Sequence, residues 1–218
     1  MDVLVETANG PPPGHWPAVY AIGRLGTETA ARVLRDFACH RDADVRRTAI
    51  EVLGRVPRSE ANDLLLLRAL RDSSSPVVRT ACDIAGARQW QEARETLREV
   101  ARAGNLQTRI AAVQALSRIG NHADIDVAES LMAAGDVHAR KEGAFACRSL
   151  VSSDSWRRLA GAWLSDAVPR HRLWAAQLFG QFGLQSDLLA LQQLSADPDG
   201  HVREAARQGV VVLRSRAG

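Results

Sequence analysis

Six arginines recur along the chain at Arg46, Arg79, Arg109, Arg140, Arg172 and Arg203, with His15 standing where a seventh would precede them; the intervals are 31, 33, 30, 31, 32 and 31 residues. A guanidinium stays charged at any physiological pH, and its planar fork grips a carboxylate or a pair of carbonyls. The column could therefore be a basic strip for an anionic partner. A residue that returns in every unit is better explained as serving the unit, by binding carbonyls or an acid of the neighbouring repeat. Asp42, Asp136 and Asp199 lie four residues before Arg46, Arg140 and Arg203, where they fit as helix N-caps or ladder partners.

The other chemistry-bearing residues form no familiar constellation. His138, His171 and His201 fall near one column of three successive units. Helices of adjacent units lie roughly 8–10 Å apart, whereas imidazoles sharing an ion must each approach it to about 2 Å, so no metal site is expected. Cys39, Cys82 and Cys147 are too scattered for a disulfide framework or a zinc site and read as buried, reduced thiols. The chain holds no H-E-x-x-H, no G-x-S-x-G and no phosphate-binding G-x-x-x-x-G-K. The single lysine, Lys141, has no second feature marking it as a Schiff-base former. Neither a cofactor nor catalysis is expected.

The elements that position these residues follow from the columns around each arginine. Three residues after the anchor stand Ala18, Ala49, Cys82, Ala112, Gly143, Ala175 and Ala206. Seven after it stand Ile22, Leu53, Gly86, Leu116, Cys147, Phe179 and Val210, and ten after it Leu25, Val56, Gln89, Ile119, Leu150, Phe182 and Leu213. Offsets of three, seven and ten share one stripe of a 3.6-residue helix. Nine residues before the anchor a second apolar column contributes Phe37, Leu70, Val100, Leu131, Trp163 and Leu194. Each unit is thus an outer helix followed by an inner one, and a period near 31 residues means a solenoid.

The motif x-x-V-R-x-x-A-x-x-x-L-G-x-I/V-G, carried by Val45, Arg46, Ala49, Leu53 and Gly54 or by Arg109, Ala112, Leu116, Ile119 and Gly120, resembles the short HEAT-like repeats named after phycobilisome lyases and used in engineered binding scaffolds. The resemblance spans residues 15 to 218. It implies an all-α, right-handed α-solenoid of about six and a half helix pairs, some thirteen helices in all. Residues 1–14 show no convincing outer helix, because Gly10-Pro11-Pro12-Pro13-Gly14 interrupts any helix there. The sixth outer helix is expected from Ser153, and Trp156, in a column of Ala and Asp, is expected to be partly exposed on the outer side. In the last inner helix Arg207 replaces an otherwise apolar or small residue, which suits a helix closing the stack against water.

With 46% apolar and 24% charged residues the composition is that of a folded domain. Its apolar runs fall short of the roughly 20 residues needed to span a bilayer, and Met1–Glu6 has no basic stretch ahead of an apolar core. A cytoplasmic protein is expected, and basic usage that is Arg in all but one case fits a GC-rich, bacterial genome. The net charge of +3 is small, but between residues 137 and 180 seven basic residues face three acids.

Functional information should lie where the period does not dictate the residue. In the HEAT-like scaffolds that the chain resembles, the exposed positions lie just before the anchor pair and one, two and five residues after the arginine, lining the concave face. Carried onto this chain, they point to Trp16 and Tyr20, Arg47 and Glu51, Ile84, Gln114, Lys141 and Phe145, and Arg170, Leu173, Trp174 and Gln177 as partner-binding residues. Exposed aromatics beside Arg and Gln are the composition of a protein-binding surface, so a non-catalytic protein-interaction scaffold is the first reading. Phe145, Leu173 and Trp174 are expected on one continuous surface, and Trp174 could equally fill a gap against Phe145 or Trp163. The alternative is nucleic-acid binding or base excision, because the sixth unit resembles the alkylpurine glycosylases built on such repeats: Trp163, Asp166, Arg170, Arg172 and Trp174 supply the Trp, Asp and Arg of their cleft. A lyase attaching a tetrapyrrole resembles the namesake family, though no catalytic motif of it can be matched.

Overall fold

The computed structural model describes residues 1–10, 15–25 and 27–216, with the backbone alone at His15 and Trp16. Among the described residues it is all-helical: α1 (Asp2–Asn9), α2 (His15–Arg24), α3 (Glu28–Phe37), α4 (Ala43–Leu53), α5 (Glu60–Ala69), α6 (Ser75–Ala87), α7 (Arg94–Ala103), α8 (Leu106–Ile119), α9 (Ile125–Met132), α10 (Val137–Leu150), α11 (Trp156–Trp163), α12 (Pro169–Phe182), α13 (Leu188–Leu194) and α14 (Gly200–Ser215). The chain divides into two compact blocks, Met1–Ala146 and Cys147–Gly218. In the first, the even-numbered inner helices stack α2 on α4, α4 on α6 and α6 on α8, while α3 and α7 pack on the inner helices that follow them. The second repeats the plan with α11 on α12, α12 on α14 and α13 on α14.

Helix starts follow the sequence. The Asp42 carboxylate accepts the N–H of Asp44 and of Val45, Asp136 accepts that of Ala139, and Asp199 accepts those of His201 and Val202, satisfying donors that the first helical turn leaves open. The column three residues after the anchor is the closest point of approach, and its members are buried from Ala18 to Ala206. A Cβ placed on Gly143 would lie 2.3 Å from the backbone nitrogen of Met132, so α10 touches the backbone of α9 there. In the second block a Cβ on Gly180 would lie 3.0 Å from the Gly209 Cα, bringing α12 and α14 together through two glycines.

Several expectations need correction. Residues 2–9 do form a helix, α1, which packs on α2 and buries Ala8 completely; its length of two turns lets Leu4, Val5 and Ala8 reach the core, a pattern too short to show as a period. The described helices number fourteen rather than thirteen as a result. The sixth outer helix begins at Trp156, because the Ser155 hydroxyl accepts the Ser152 N–H and folds residues 152–155 into a turn. Trp156 is 6% exposed, held edge-on by Phe179 and stacked on Phe182 from the following inner helix. Cys82 and Cys147 are buried, whereas Cys39 is exposed at the end of an outer helix with the Arg68 guanidinium 3.5 Å from its sulfur. Gln89 departs from its apolar column because α6 has ended: Gln89 takes a left-handed φ of 47°, and its neighbour Trp90 is the buried residue.

Candidate partner-binding site

The anchors Arg46, Arg172 and Arg203 face the turns between helices. Arg46 sends Nη1 to the carbonyls of His40 and Arg41 in its own repeat, and Nε and Nη2 to both carboxylate oxygens of Asp72 in the next. Arg172 does the same with the carbonyls of Asp166 and Ala167 and the carboxylate of Asp197. The accepting acids also cap their own turns, Asp72 taking the N–H of Ser74 and Asp197 that of Asp199. The Arg172 guanidinium beside it holds Asp197 below the usual carboxylate range. For Asp72 burial pushes upward, but Arg46 and the Ser74 N–H outweigh it and the net direction is down. A second set of rungs joins successive outer helices: Arg94 and Arg98 meet in the buried carboxylate of Asp124, and Arg157 forks onto Asp187 thirty residues on. These five arginines therefore serve the fold.

The residues that the repeat does not dictate converge elsewhere. In the first block an open groove of about 590 Å³ runs across four successive inner helices and is lined by Asp44 and Arg47 of α4, Arg79, Thr80 and Asp83 of α6, Gln107, Ile110 and Gln114 of α8, and His138 of α10. Asp44, Arg47, Thr80, Gln107, Ile110, Gln114 and His138 stand just before an anchor pair or one or five residues after the arginine, whereas Arg79 is an anchor itself and Asp83 lies four residues after it. Both charge signs are present. Arg47 sits between Asp44 at 3.8 Å and Glu51 at 3.7 Å, Asp83 lies 3.4 Å from Arg118, and the Gln114 amide donates to Glu142 at 2.7 Å.

The fold and the comparisons agree. A family profile described as HEAT repeats matches residues 2–82 and 62–147. The chain belongs to the HEAT repeat family. Among solved structures, similar ones include an engineered protein (16% identity, TM-score 0.62, covering 98% of this chain and 68% of that one) and the archaeal HEAT-like repeats protein of Thermococcus onnurineus NA1 (14%, 0.57, 100% and 98%). The complex of CpcE and CpcF of phycocyanin lyase from Nostoc sp. PCC7120 is similar at 16% identity and a TM-score of 0.56, covering 98% and 93%. Identities this low establish the α-solenoid fold alone. No curated protein sequence matches the chain.

On this HEAT scaffold the sequence-derived site residues fall into separate groups. Arg47 and Gln114 line the groove and Glu51 flanks it. Tyr20 lies beside Glu51 with the Arg55 guanidinium 5.5 Å above its ring; burial first, then the Glu51 carboxylate, push its hydroxyl pKa up. Ile84 is half-buried, and a Cβ on Gly54 would lie 2.6 Å from its Cδ1, so much of it packs on α4. Lys141 and Phe145 are exposed on α10. The side chain of Trp16 lies outside the described residues. The remaining four, Arg170, Leu173, Trp174 and Gln177, belong to α12 in the second block. There Trp174 is half-buried, stacked on His171 with ring centroids 5.6 Å apart and tilted on Trp163 at the same distance.

Of the glycosylase-like residue set in this HEAT chain, Trp163, Asp166 and Arg172 are engaged within the fold, while Arg170 is exposed and Trp174 half-buried. Trp163 is 1% exposed, Asp166 lies 3.2 Å from the buried His171 and accepts the Val168 N–H, and Arg172 is taken up by Asp197. The three histidines differ in setting: His138 and His201 are exposed, and His171 is buried against the rings of Trp163 and Trp174. Among the described residues no three His, Cys, Asp or Glu side chains are grouped to hold a metal, and no helix is long and apolar enough to cross a membrane. Reading by columns missed Asp44, Arg79 and Asp83. Arg79 belongs to the anchor column, Asp83 lies four residues after it and so outside the expected concave positions, and Asp44 lies just before its anchor pair without being singled out.

Proposed function

We propose that the chain is a non-catalytic scaffold that binds a protein partner along its inner-helix face. The supporting observation is the groove: four consecutive inner helices contribute to it, beside the anchor Arg79, side chains that the repeat leaves unspecified, and these combine amides, hydroxyls and charges of both signs over an apolar base at Ile110. Polar groups of mixed sign with a small apolar centre match a protein surface. A polyphosphate backbone calls for a strip of one sign, and the exposed carboxylates of Asp44 and Asp83 work against it. The Nostoc neighbour, itself named as a complex of two chains, is consistent with a protein partner.

Site-specific photocrosslinking in cells tests this reading. A photoreactive residue in place of Gln114, inside the groove, should capture a protein that the same residue in place of Arg32, on the outer helix α3, does not. Crosslinking confined to the Arg32 position, or abolished by nuclease, would defeat the proposal.

A further inference from the structure

Two rungs of the arginine ladder lack their acid, and at one of them the arginine, among the described residues, stands free in the groove. Arg46 and Arg172 are matched by acids, Asp72 and Asp197, standing at the turn of the following repeat. The corresponding turn after Arg79 leads from α7 into α8, and the residue there, six before Arg109 as Asp197 is six before Arg203, is Ala103. Arg109 faces the same loss at Ala134 but turns back onto the Ala101 carbonyl. Arg79 makes no hydrogen bond or ion pair to any described residue; it is exposed and lines the groove. Its neighbours are already matched, since Arg47 lies between Asp44 and Glu51 and Asp83 is near Arg118. The groove therefore carries one uncompensated guanidinium near its middle, flanked by the exposed Gln107 amide and the Thr80 hydroxyl.

From this, and resting on the scaffold reading above, we infer that the partner segment in the groove presents a single aspartate or glutamate carboxylate to Arg79. A guanidinium fork takes a carboxylate through two parallel bonds and gains in specificity from it. An isolated carboxylate suits one free cation set among exposed acids, whereas a phosphate chain would bring several negative charges up against Asp44 and Asp83. Ala103, in the following repeat, stands where Asp72 and Asp197 stand in theirs, so an acid there would offer Arg79 a partner outside the groove.

The test selects a displayed random-peptide library on the intact chain, on Arg79→Gln and on an Arg32→Gln control that removes the same charge from an outer helix. Selected peptides should be rich in Asp or Glu for the wild type and the control and lose that bias with Arg79→Gln. For a synthetic peptide from the selection, fluorescence anisotropy should show affinity falling about tenfold or more in Arg79→Gln, the order expected for a central anchor, and unchanged in Arg32→Gln. Ala103→Asp, which refills the rung without touching the groove, should raise the melting temperature and weaken the same peptide. Peptides without acidic bias, no enrichment at all, or equal losses in Arg79→Gln and Arg32→Gln would overturn the inference. So would an oligonucleotide that outcompetes the peptide. Crosslinking at Gln114 that persists through these results would leave the scaffold reading standing while removing the role of Arg79.

Discussion

Arg46 lays its guanidinium across both oxygens of Asp72, at 2.8 Å each, and so ties the turn of one repeat to the turn of the next. Only about 15% of either side chain is exposed. The desolvation cost of such a pair is offset by good fork geometry together with the carbonyls and N–H groups that complete each partner's bonding. Removing one partner strands the other.

Asp197→Ala is accordingly expected to lower the unfolding free energy by about 3 kcal/mol, because it leaves Arg172 without its counter-charge and the Asp199 N–H without its acceptor. Glu99→Ala breaks the Arg71 pair, whose side chains are more than half exposed, and should cost under about 1 kcal/mol. Urea denaturation of the two variants checks the contrast; equal losses would contradict it.

The same carboxylates set the acid limit. Asp187 and Asp197 are held below the usual carboxylate pKa first by Arg157 and Arg172, and Asp72 and Asp126 move in the same direction once their guanidinium contacts outweigh burial. The unfolded state therefore binds protons more readily than the folded one. Stability from these groups is complete above the unfolded carboxylate pKa, near 4, and is lost as pH falls through the depressed folded values. Thermal melts at descending pH should show a steep fall below about pH 4, and Asp197→Asn should flatten it.

Ala112→Leu and Gly143→Leu are expected to destabilise by about 1–3 kcal/mol or more, since both positions meet a neighbouring helix without free space. Gly143 should suffer most, because the obstacle is the Met132 backbone rather than a side chain that can turn aside. Scanning calorimetry with unchanged melting temperatures would show that the close approach is not there.

The columns that made the fold legible are those in which one residue does the same work in every repeat: Ala49 and Ala112 at the close approach, Leu53 and Leu116 in the core, Asp42 and Asp199 at helix starts. Hidden from the sequence was whatever depends on a residue one repeat away. Trp156 stands in a column of Ala and Asp, and only the arrival of Phe179 and Phe182 from α12 buries it. Arg79 looks like every other anchor in the sequence, and only the structure shows that, among the described residues, it takes neither an acid, as Arg46 and Arg172 do, nor a carbonyl, as Arg109 does. The groove was legible as a set of columns, but its charge balance was not, because each acid is matched by an arginine from another turn or another helix.

Cysteine exposure gives a prediction free of any assumption about partners. Cys39 is exposed, while Cys147 is buried and burial raises the Cys82 thiol pKa to about 12, leaving it almost wholly protonated at neutral pH. A chromogenic disulfide reagent should titrate one thiol per native chain and three after unfolding in guanidinium. Three fast-reacting thiols in the native state would contradict the packing of α6 and α10.

In the second block Trp174 is half-buried and Trp163 is enclosed, with ring centroids 5.6 Å apart, and His171 of α12 touches both rings. Trp163→Ala should therefore cost about 3–5 kcal/mol, as truncating an enclosed tryptophan does, and Trp174→Ala about 2 kcal/mol, since part of its surface remains in water. The two rings support each other and both lean on His171, so the double variant should lose less than the sum of the single losses, by roughly 1 kcal/mol. Chemical denaturation of the four proteins closes the cycle. Simple additivity would mean that Trp174 does not share the packing of Trp163, and a Trp174→Ala variant as stable as the wild type would return that side chain to the surface as a contact held in reserve for a partner.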